Sequence, residues 1–368
     1  MRALRILIVA VLALAAGVFG LRAYRSLDEP LRVDAPLRFK VAPGSRFARV
    51  AADLGTRGIV PQPRTWVLYA RLKGLAAAIK AGEYEIEPGT TPRGLLQKMV
   101  DGQVLLHSFT IVDGWRLQDL LAALRHDSNI VVTLPEAAPA RADEAGDPAA
   151  ALRDPAAAPP GLAAAPPGLM EKLGAPGLAP EGQFLPETYR FPSGTQDLEI
   201  LRQAHAALSR ELAAAWTARD PSLPLKTPDE LLIVASIVQK ESGVPAELPK
   251  IAGLYLHRLR IGMRLQADPT LIYGLGDRYD GTLHSIDLHT DGPFNTYTRA
   301  GLPPTPIALA GAAAIRATAH PDTTDALYFV ASPRDDGSHI FSATLEEQNA
   351  AVAQYVAHLR QRNAESAK

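Results

Sequence analysis

The sequence predicts an α+β fold in three parts: an N-terminal transmembrane helix, a small α+β module and a larger mixed α+β domain. Three observations carry this. Residues Ile6 to Leu21 form an unbroken apolar run. Alternating apolar and polar residues ending in turn dipeptides recur near residues 39, 84 and 109. Helix-start signals followed by long apolar faces dominate from Thr227 onward. At 368 residues, 47% hydrophobic and 21% charged, the chain is long enough for two cores. A net charge of −1 provides no whole-chain attraction for nucleic acid. Cysteine is absent, which excludes disulfide frameworks, thiolate nucleophiles, iron–sulfur clusters and cysteine-ligated zinc.

The apolar run is flanked by Arg2 and Arg5 before it and Arg22 and Arg25 after it. It falls slightly short of the ~20 residues that a hydrocarbon core requires. Ala3, Leu4 and Ala23 extend it, and the arginines can snorkel. A buried core helix is the plainer reading, but the run has no polar face and sits at the extreme terminus. A cleaved signal peptide is the rival, but Ala13-Leu14-Ala15 is a poor cleavage site and the run continues through Val18 and Phe19. The expectation is an uncleaved anchor over 6–24, with residues 1–5 cytoplasmic and the body outside the inner membrane. Residues 26–36 read as a polar stalk.

A weak repeat follows. Phe39-Lys40-Val41-Ala42-Pro43-Gly44-Ser45 resembles Tyr84-Glu85-Ile86-Glu87-Pro88-Gly89-Thr90, with Phe109 to Gly114 as a looser third copy. Each reads as a strand, a turn and a helix-like stretch. Thr91-Pro92 marks a helix start leading into Leu95, Leu96, Met99 and Val100. The pattern predicts a module over about 36–105, although Pro-Gly turns are common enough to recur without shared ancestry. The remainder, 106–362, forms the larger domain. Within it, residues 135–168 hold 14 Ala, 8 Pro and 3 Gly among 34 residues, with no aromatic. Such a segment cannot bury enough surface to offset its chain entropy, so a disordered insertion is expected, with order resuming near Leu169.

Thr227-Pro228-Asp229-Glu230 is a capping box with proline at the first helical position. The helix it opens runs to Glu241, with Gly243 as its stop. A second helix is expected from Leu248, with Ile251, Ala252, Tyr255, Leu256 and Leu259 on one face. Leu327 to Val330 and His339 to Ser342 read as a hairpin around Asp335-Asp336-Gly337. A closing helix begins with a box from Thr344 to Glu347 and carries Val352, Tyr355, Val356 and Leu359.

Val234, Ile237, Val238 and Glu241 share one face of the first of these helices. The carboxyl of Glu241 therefore ends a buried stripe. Burial without a cation raises its proton affinity, and the negative helix terminus acts in the same direction. A carboxylic acid kept protonated near neutral pH suits general-acid catalysis. The plainer alternative is a Glu at a fraying helix end that swings into solvent. Downstream lies a loop-rich polar cluster: Gln266, Asp268, Thr270 and Tyr273, then Asn295, Thr296 and Tyr297. Amides, hydroxyls and aromatic faces of this kind bind sugar hydroxyls and acetamido groups. His339, on a strand, is either packed in the core or part of a site. Ser236 and Lys240 miss the S-x-x-K spacing, Lys226-Thr227 lacks the following Gly, and neither a Walker loop nor H-E-x-x-H occurs. His284 and His289, five apart, suit no metal pair.

At these residues the chain resembles the MltG, or YceG-like, family of membrane-anchored endolytic murein transglycosylases. The resemblance rests on Ala235 to Glu241, Arg258 to Thr270, Asn295-Thr296-Tyr297, Gly301-Leu302-Pro303-Pro304, Tyr328-Phe329-Val330, and Glu181-Gly182 with Phe184 to Tyr189. It covers the chain from the anchor to about residue 358, apart from the insertion. It implies that Glu241 is the catalytic acid and base, that 36–105 is a LysM-like module contacting glycan, and that 106–362 is the catalytic domain. It implies a single-pass inner-membrane protein with its catalytic domain in the periplasm. Glycan strands of peptidoglycan are its substrate, peptidoglycan synthases are its partners, and no cofactor or nucleic acid is involved. Gln266, Asp268, Thr270, Tyr273, Asn295, Thr296, Tyr297 and His339 are candidates for holding the sugar or orienting Glu241. The chain departs from the family pattern at Gln239, His257, Leu309-Ala310-Gly311 and Gln348. Ordinary glycosidases use two carboxylates. One suffices when the muramyl 6-hydroxyl of the substrate is the nucleophile, leaving a 1,6-anhydro end. The alternatives are a muramidase, with water as nucleophile and Asp268 as helper, and a non-catalytic peptidoglycan-binding scaffold.

Overall fold

The computed structural model describes residues 20–136 and 165–366, together with 7, 11, 14, 17 and 18. The insertion expected at 135–168 lies mostly outside the described residues, as does most of the anchor expected at 6–24. Among the described residues, no helix is long and apolar enough to cross a membrane. The chain is a mixture of helices and small two-stranded sheets. It divides into two compact units, one of residues 1–108 with 190–195 and one of 109–189 with 196–368.

In the first unit, Leu37–Val41 (β1) pairs antiparallel with Gly82–Ile86 (β2), with Phe39 opposite Tyr84. Their alternation turns Phe39, Val41, Tyr84 and Ile86 into the core. Three helices cover that face: Phe47–Thr56 (α1), Pro63–Leu72 (α2) and Pro92–Asp101 (α3). α1 buries Phe47, Val50, Ala51 and Leu54, the i, i+3, i+4, i+7 stripe of a half-buried helix. Phe47 meets Trp66 of α2 edge-on at 4.7 Å between ring centroids, a contact that contributes about 0.5–1.5 kcal/mol beyond its buried area. Thr91 caps α3 by accepting from the Gly94 amide at 3.1 Å, and Leu95, Leu96 and Met99 face inward. The three strand–turn copies share a backbone feature: Gly44, Gly89 and Gly114 all have φ between 75° and 89°. In this left-handed region a side chain would be strained.

Leu106–Thr110 (β3) pairs with Thr188–Pro192 (β4), and each strand carries the chain from one unit to the other. The second unit contains Leu117–His126 (α4), Leu169–Lys172 (α5), Asp197–Ala218 (α6), Pro228–Glu241 (α7), Leu248–Arg260 (α8), Asp268–Leu275 (α9), Ser285–His289 (α10) and Ala312–Ala319 (α11). The antiparallel hairpin Tyr328–Ala331 (β5) and His339–Ser342 (β6) follows, then Leu345–Ser366 (α12).

α7 is the centre of this unit, packed by α6, α8, α9 and α11. All eight residues from Leu231 to Val238 are buried, so the helix is enclosed on every side and not only along one stripe. Charged residues occur only at its ends, and the buried Ser236 between them donates to the Ile233 carbonyl at 2.7 Å and accepts from the Ile307 amide at 3.1 Å. Thr227 accepts from the Glu230 amide at 3.2 Å. The helix stops because Ser242 turns extended (φ −143°, ψ 139°), without the left-handed glycine expected at Gly243. α8 buries the expected face from Leu248 to Leu256. The box at Thr344 and Glu347 forms in both directions, each amide donating to the other's side chain at 3.2 Å. On α12, Val352 is exposed at 37%, whereas the neighbouring Ala351 is buried.

Candidate active site

Glu241 is the last residue of α7 and is half-buried. Its carboxyl is closely surrounded by protein, and some of the residue still meets solvent. The Tyr255 hydroxyl donates to Glu241 Oε1. Tyr255 lies on the inward face of α8, 1% exposed, with Phe329 of β5 set edge-on against its ring at 6.3 Å. A buried tyrosine needs a partner for its hydroxyl, and the glutamate provides it. One helical turn on, Arg258 is buried. Its Nε donates to the Leu327 carbonyl at 2.7 Å and its Nη1 to that of Leu265. Burial lowers the proton affinity of its guanidinium, and the surrounding Tyr255, Tyr328, Tyr297 and Glu241 oppose this.

Asp268 opens α9 and is exposed. Its Oδ1 accepts from the Tyr297 hydroxyl. The Glu241 carboxyl is pushed up to about 7. Burial is the main cause and the neighbouring Asp268 charge adds to it, while the Tyr255 hydrogen bond and Arg258 oppose it. Burial and Asp268 likewise raise the Tyr297 phenol. A carboxyl group near 7 can release a proton and take one back at neutral pH.

The segment before Asp268 is held rigidly. Thr296 Oγ1 accepts from the Ala267 amide at 3.0 Å and lies 2.9 Å from Thr270 Oγ1. The Thr296 carbonyl accepts from the Gln266 amide at 3.1 Å. Gln266 itself has φ +48°, a left-handed conformation costing on the order of 1–3 kcal/mol in a residue with a side chain. Its side chain is exposed. Asn295 is buried at 3% exposure. Its Nδ2 donates to the carbonyls of Asp287 at 3.0 Å and Thr290 at 2.7 Å, and its Oδ1 accepts from the Tyr297 amide at 2.9 Å.

Of the residues picked out in the sequence, Glu241, Asp268 and Tyr297 therefore form one electrostatically linked cluster. Gln266 is exposed two residues from Asp268. Thr270, Asn295 and Thr296 are turned inward and hydrogen-bond to the frame beneath the cluster. Tyr273 is turned away, its hydroxyl on Glu181 Oε2 at 3.3 Å and its ring 4.8 Å from Phe294. His339 Nδ1 stands 2.7 Å from Glu247 Oε2, and its backbone amide donates to Oε1 at 2.7 Å. Burial alone would raise the Glu247 carboxyl, but His339 and Ser242 outweigh it and hold it below the ordinary value. The His339 ring also packs on Phe329 at 5.3 Å, so it joins the wall behind Tyr255.

Tyr255, Arg258 and Glu247 stand beside the cluster or its wall, and none was picked out in the sequence as a site residue. The available signal was a tyrosine and an arginine on an otherwise apolar helix face. The positions departing from the family pattern serve the frame. Gln239 Oε1 accepts from the Gly311 amide at 3.1 Å, and Gln348 Nε2 donates to the Phe329 carbonyl at 3.0 Å.

A family model described as YceG-like family matches residues 39–354. The chain is similar to an endolytic murein transglycosylase of Bacillus subtilis, 28% identical over 335 residues that cover 90% of this chain and 89% of that protein. It is also similar to an endolytic murein transglycosylase of Streptococcus pneumoniae, 26% identical over 93% of this chain and 63% of that protein. A crystal structure of a YceG-like protein from Listeria monocytogenes aligns with a TM-score of 0.47 at 24% identity, covering 86% of this chain and 99% of that one. With its match running through both units, the chain belongs to the YceG-like family.

Proposed function

We propose that this chain is an endolytic lytic transglycosylase of peptidoglycan, with Glu241 as its single acid and base. The observation that carries this is the Glu241 carboxyl, half-buried at a helix end and poised near 7 under one tyrosine hydroxyl. Protonated Glu241 gives its proton to the oxygen bridging N-acetylmuramic acid and N-acetylglucosamine as the bond from that oxygen to the anomeric carbon breaks. The resulting carboxylate takes the proton of the muramyl 6-hydroxyl while its oxygen bonds to the same carbon. The products are a free N-acetylglucosamine end and a 1,6-anhydro end, and no water is consumed. The nucleophile belongs to the substrate and is already oriented, so a second catalytic carboxylate is not required. Tyr255 occupies Oε1, leaving Oε2 to carry the proton. Asp268, held by Tyr297, offers negative charge beside the carbon that becomes cationic. Gln266, Asp268 and Tyr297 contact the sugar, while Thr270, Tyr273, Asn295, Thr296 and His339 hold the elements that position them.

The wider reading places residues 6–24 in the inner membrane as a single-pass anchor, with 1–5 cytoplasmic and the catalytic domain, 106–362, in the periplasm. Cleavage of nascent strands there terminates their elongation, next to the synthases that make them. The 36–105 module acts as a LysM-like glycan contact. A groove of about 460 Å³ in the first unit, lined by Ser45, Arg46, Val67, Arg71 and Ile79 among others, supports that role.

Mass spectrometry of polymeric glycan treated with wild type and Glu241→Gln tests the proposal. Anhydro ends from wild type and none from the variant are expected. Reducing ends, one water heavier, would identify a muramidase, and no products from wild type would leave a scaffold. A blot of membrane and soluble fractions tests the anchor.

A further inference from the structure

Glu181 lies deep in the second unit, outside the cluster around Glu241. Its carboxylate collects donors and nothing else. The Leu117 amide, first in α4, donates to Oε1 at 3.0 Å and reaches Oε2 at 3.3 Å. The Gly182 amide donates to Oε1 at 3.2 Å. The Tyr273 hydroxyl donates to Oε2 at 3.3 Å. The start of α4 is a favourable place for an anion, since its free amides carry partial positive charge. The backbone beside Glu181 is equally constrained. Gly182 has φ +79°, and a Cβ there would come within 2.4 Å of Pro306. The segment is therefore wedged in place, and the carboxylate ties α4 to α9.

α9 is eight residues long, about 12 Å, so its two ends are held in fixed relation by one run of helical hydrogen bonds. Tyr273 stands near its C-terminal end and Asp268 is its first residue. We propose that Glu181 is a positioning residue for the reaction: clamped between the Leu117 amide and the Tyr273 hydroxyl, its carboxylate sets the seat of α9 and thereby the place of Asp268 beside Glu241. This rests on the transglycosylase reading above. The geometry selects the anion, because two of the three donors are backbone amides that cannot reverse. A protonated Glu181 would have to turn Tyr273 from donor to acceptor. Burial lifts the group to about 7 against the pull of Leu117, Gly182, Tyr273 and Arg116. Arg116 and Tyr273 are the charged and titratable groups that act on it. The strut therefore loosens as the pH falls below neutrality.

The test compares full-length wild type, Glu181→Gln and Tyr273→Phe on polymeric glycan across pH 5 to 9. The glutamine keeps the shape and removes the charge. It is expected to lower kcat by roughly 10- to 100-fold, the scale of a small misplacement near reacting atoms, with KM little changed. The acid-side limb of the kcat profile should vanish while the alkaline limb, set by Glu241, stays. Tyr273→Phe leaves Glu181 charged but disconnects it from α9, and should also lower kcat and flatten the acid limb. It removes one oxygen only, so it carries the test if the glutamine variant does not fold. A purely structural role would lower thermal stability without moving the limb. Either folded variant with kcat within twofold of wild type and an unchanged acid limb overturns the proposal. If Glu241→Gln is inactive in that case, the transglycosylase reading stands. An active Glu241→Gln would remove both.

Discussion

Two glutamates in the second unit invite comparison. Glu241 and Glu181 are each pushed up to about 7 by burial, and each accepts from one tyrosine hydroxyl. Their other surroundings differ. Glu181 is sealed, and two backbone amides occupy its oxygens. Glu241 has no backbone donor among its hydrogen bonds, a carboxylate neighbour in Asp268, and some contact with solvent. The lesson is that a raised proton affinity does not by itself identify a catalytic acid. An oxygen left without a fixed donor can pass a proton to a ligand, whereas one held by amides is better suited to fastening elements together. Tyr255 is one donor to a group that must change state, and Tyr273 belongs to a set of three that favours one state.

The largest effect that would break the comparison is the loss of Glu241. Glu241→Gln should reduce kcat by ~10³-fold, within the range for a general acid, against the smaller loss expected for Glu181→Gln. Equal losses in digestion assays on purified glycan would erase the distinction. Next come the neighbours of Glu241. Tyr255→Phe removes a hydrogen bond that favours the carboxylate, so the alkaline limb of the kcat profile should move to higher pH. Asp268→Asn removes a repelling charge, so that limb should move to lower pH. Each should cost roughly 10-fold at the optimum, the scale of a hydrogen bond or charge beside an ionised group. Shifts in the same direction would contradict the opposed effects of the Tyr255 hydroxyl and the Asp268 charge on Glu241.

Smaller effects concern stability. Asn295→Ala removes a buried amide that donates to the Asp287 and Thr290 carbonyls and accepts from the Tyr297 amide, and should cost about 1–3 kcal/mol in denaturant unfolding. Both glutamates titrate near 4.5 when unfolded and near 7 when folded. The folded protein thus holds protons that the unfolded chain releases between those values, and stability from this source is full below about 4.5 and falls as the pH rises to 7. Glu241→Gln, which removes the charge without undoing a strut, should therefore raise Tm relative to wild type at pH 8 and much less so at pH 5. The scale is roughly 2–4 °C per kcal/mol. At the bottom of the series, Val352→Ser on the outer side of α12 should change stability by less than about 0.5 kcal/mol.

Much of the local structure was legible in the sequence. Thr91-Pro92, the Thr227 box and the Thr344 box each start a helix where the pattern placed it, because a cap uses residues only three apart. The hairpin at Tyr328 to Ser342 was readable for the same reason. α6, 22 residues long, went unmarked because it begins without a side-chain cap. The end of α7 shows the limit. Gly243 looked like its stop, yet Ser242 turns extended, with its hydroxyl fastened to Glu247 and the Val244 amide. Tyr273, Thr270 and Asn295 had the chemistry of sugar ligands. Their orientation depended on Glu181, Thr296 and the carbonyls of α10, which no local window contains.

From the sequence alone came a glutamate closing an apolar helix and a loop cluster able to meet a sugar, since periodicity and capping act within a few residues. Tertiary structure alone decided how strongly that glutamate holds its proton. Its desolvation, the hydroxyl of Tyr255 and the charge of Asp268 reach it from residues 14 and 27 positions away. Electrostatic energy depends on distance through space, which separation along the chain does not specify.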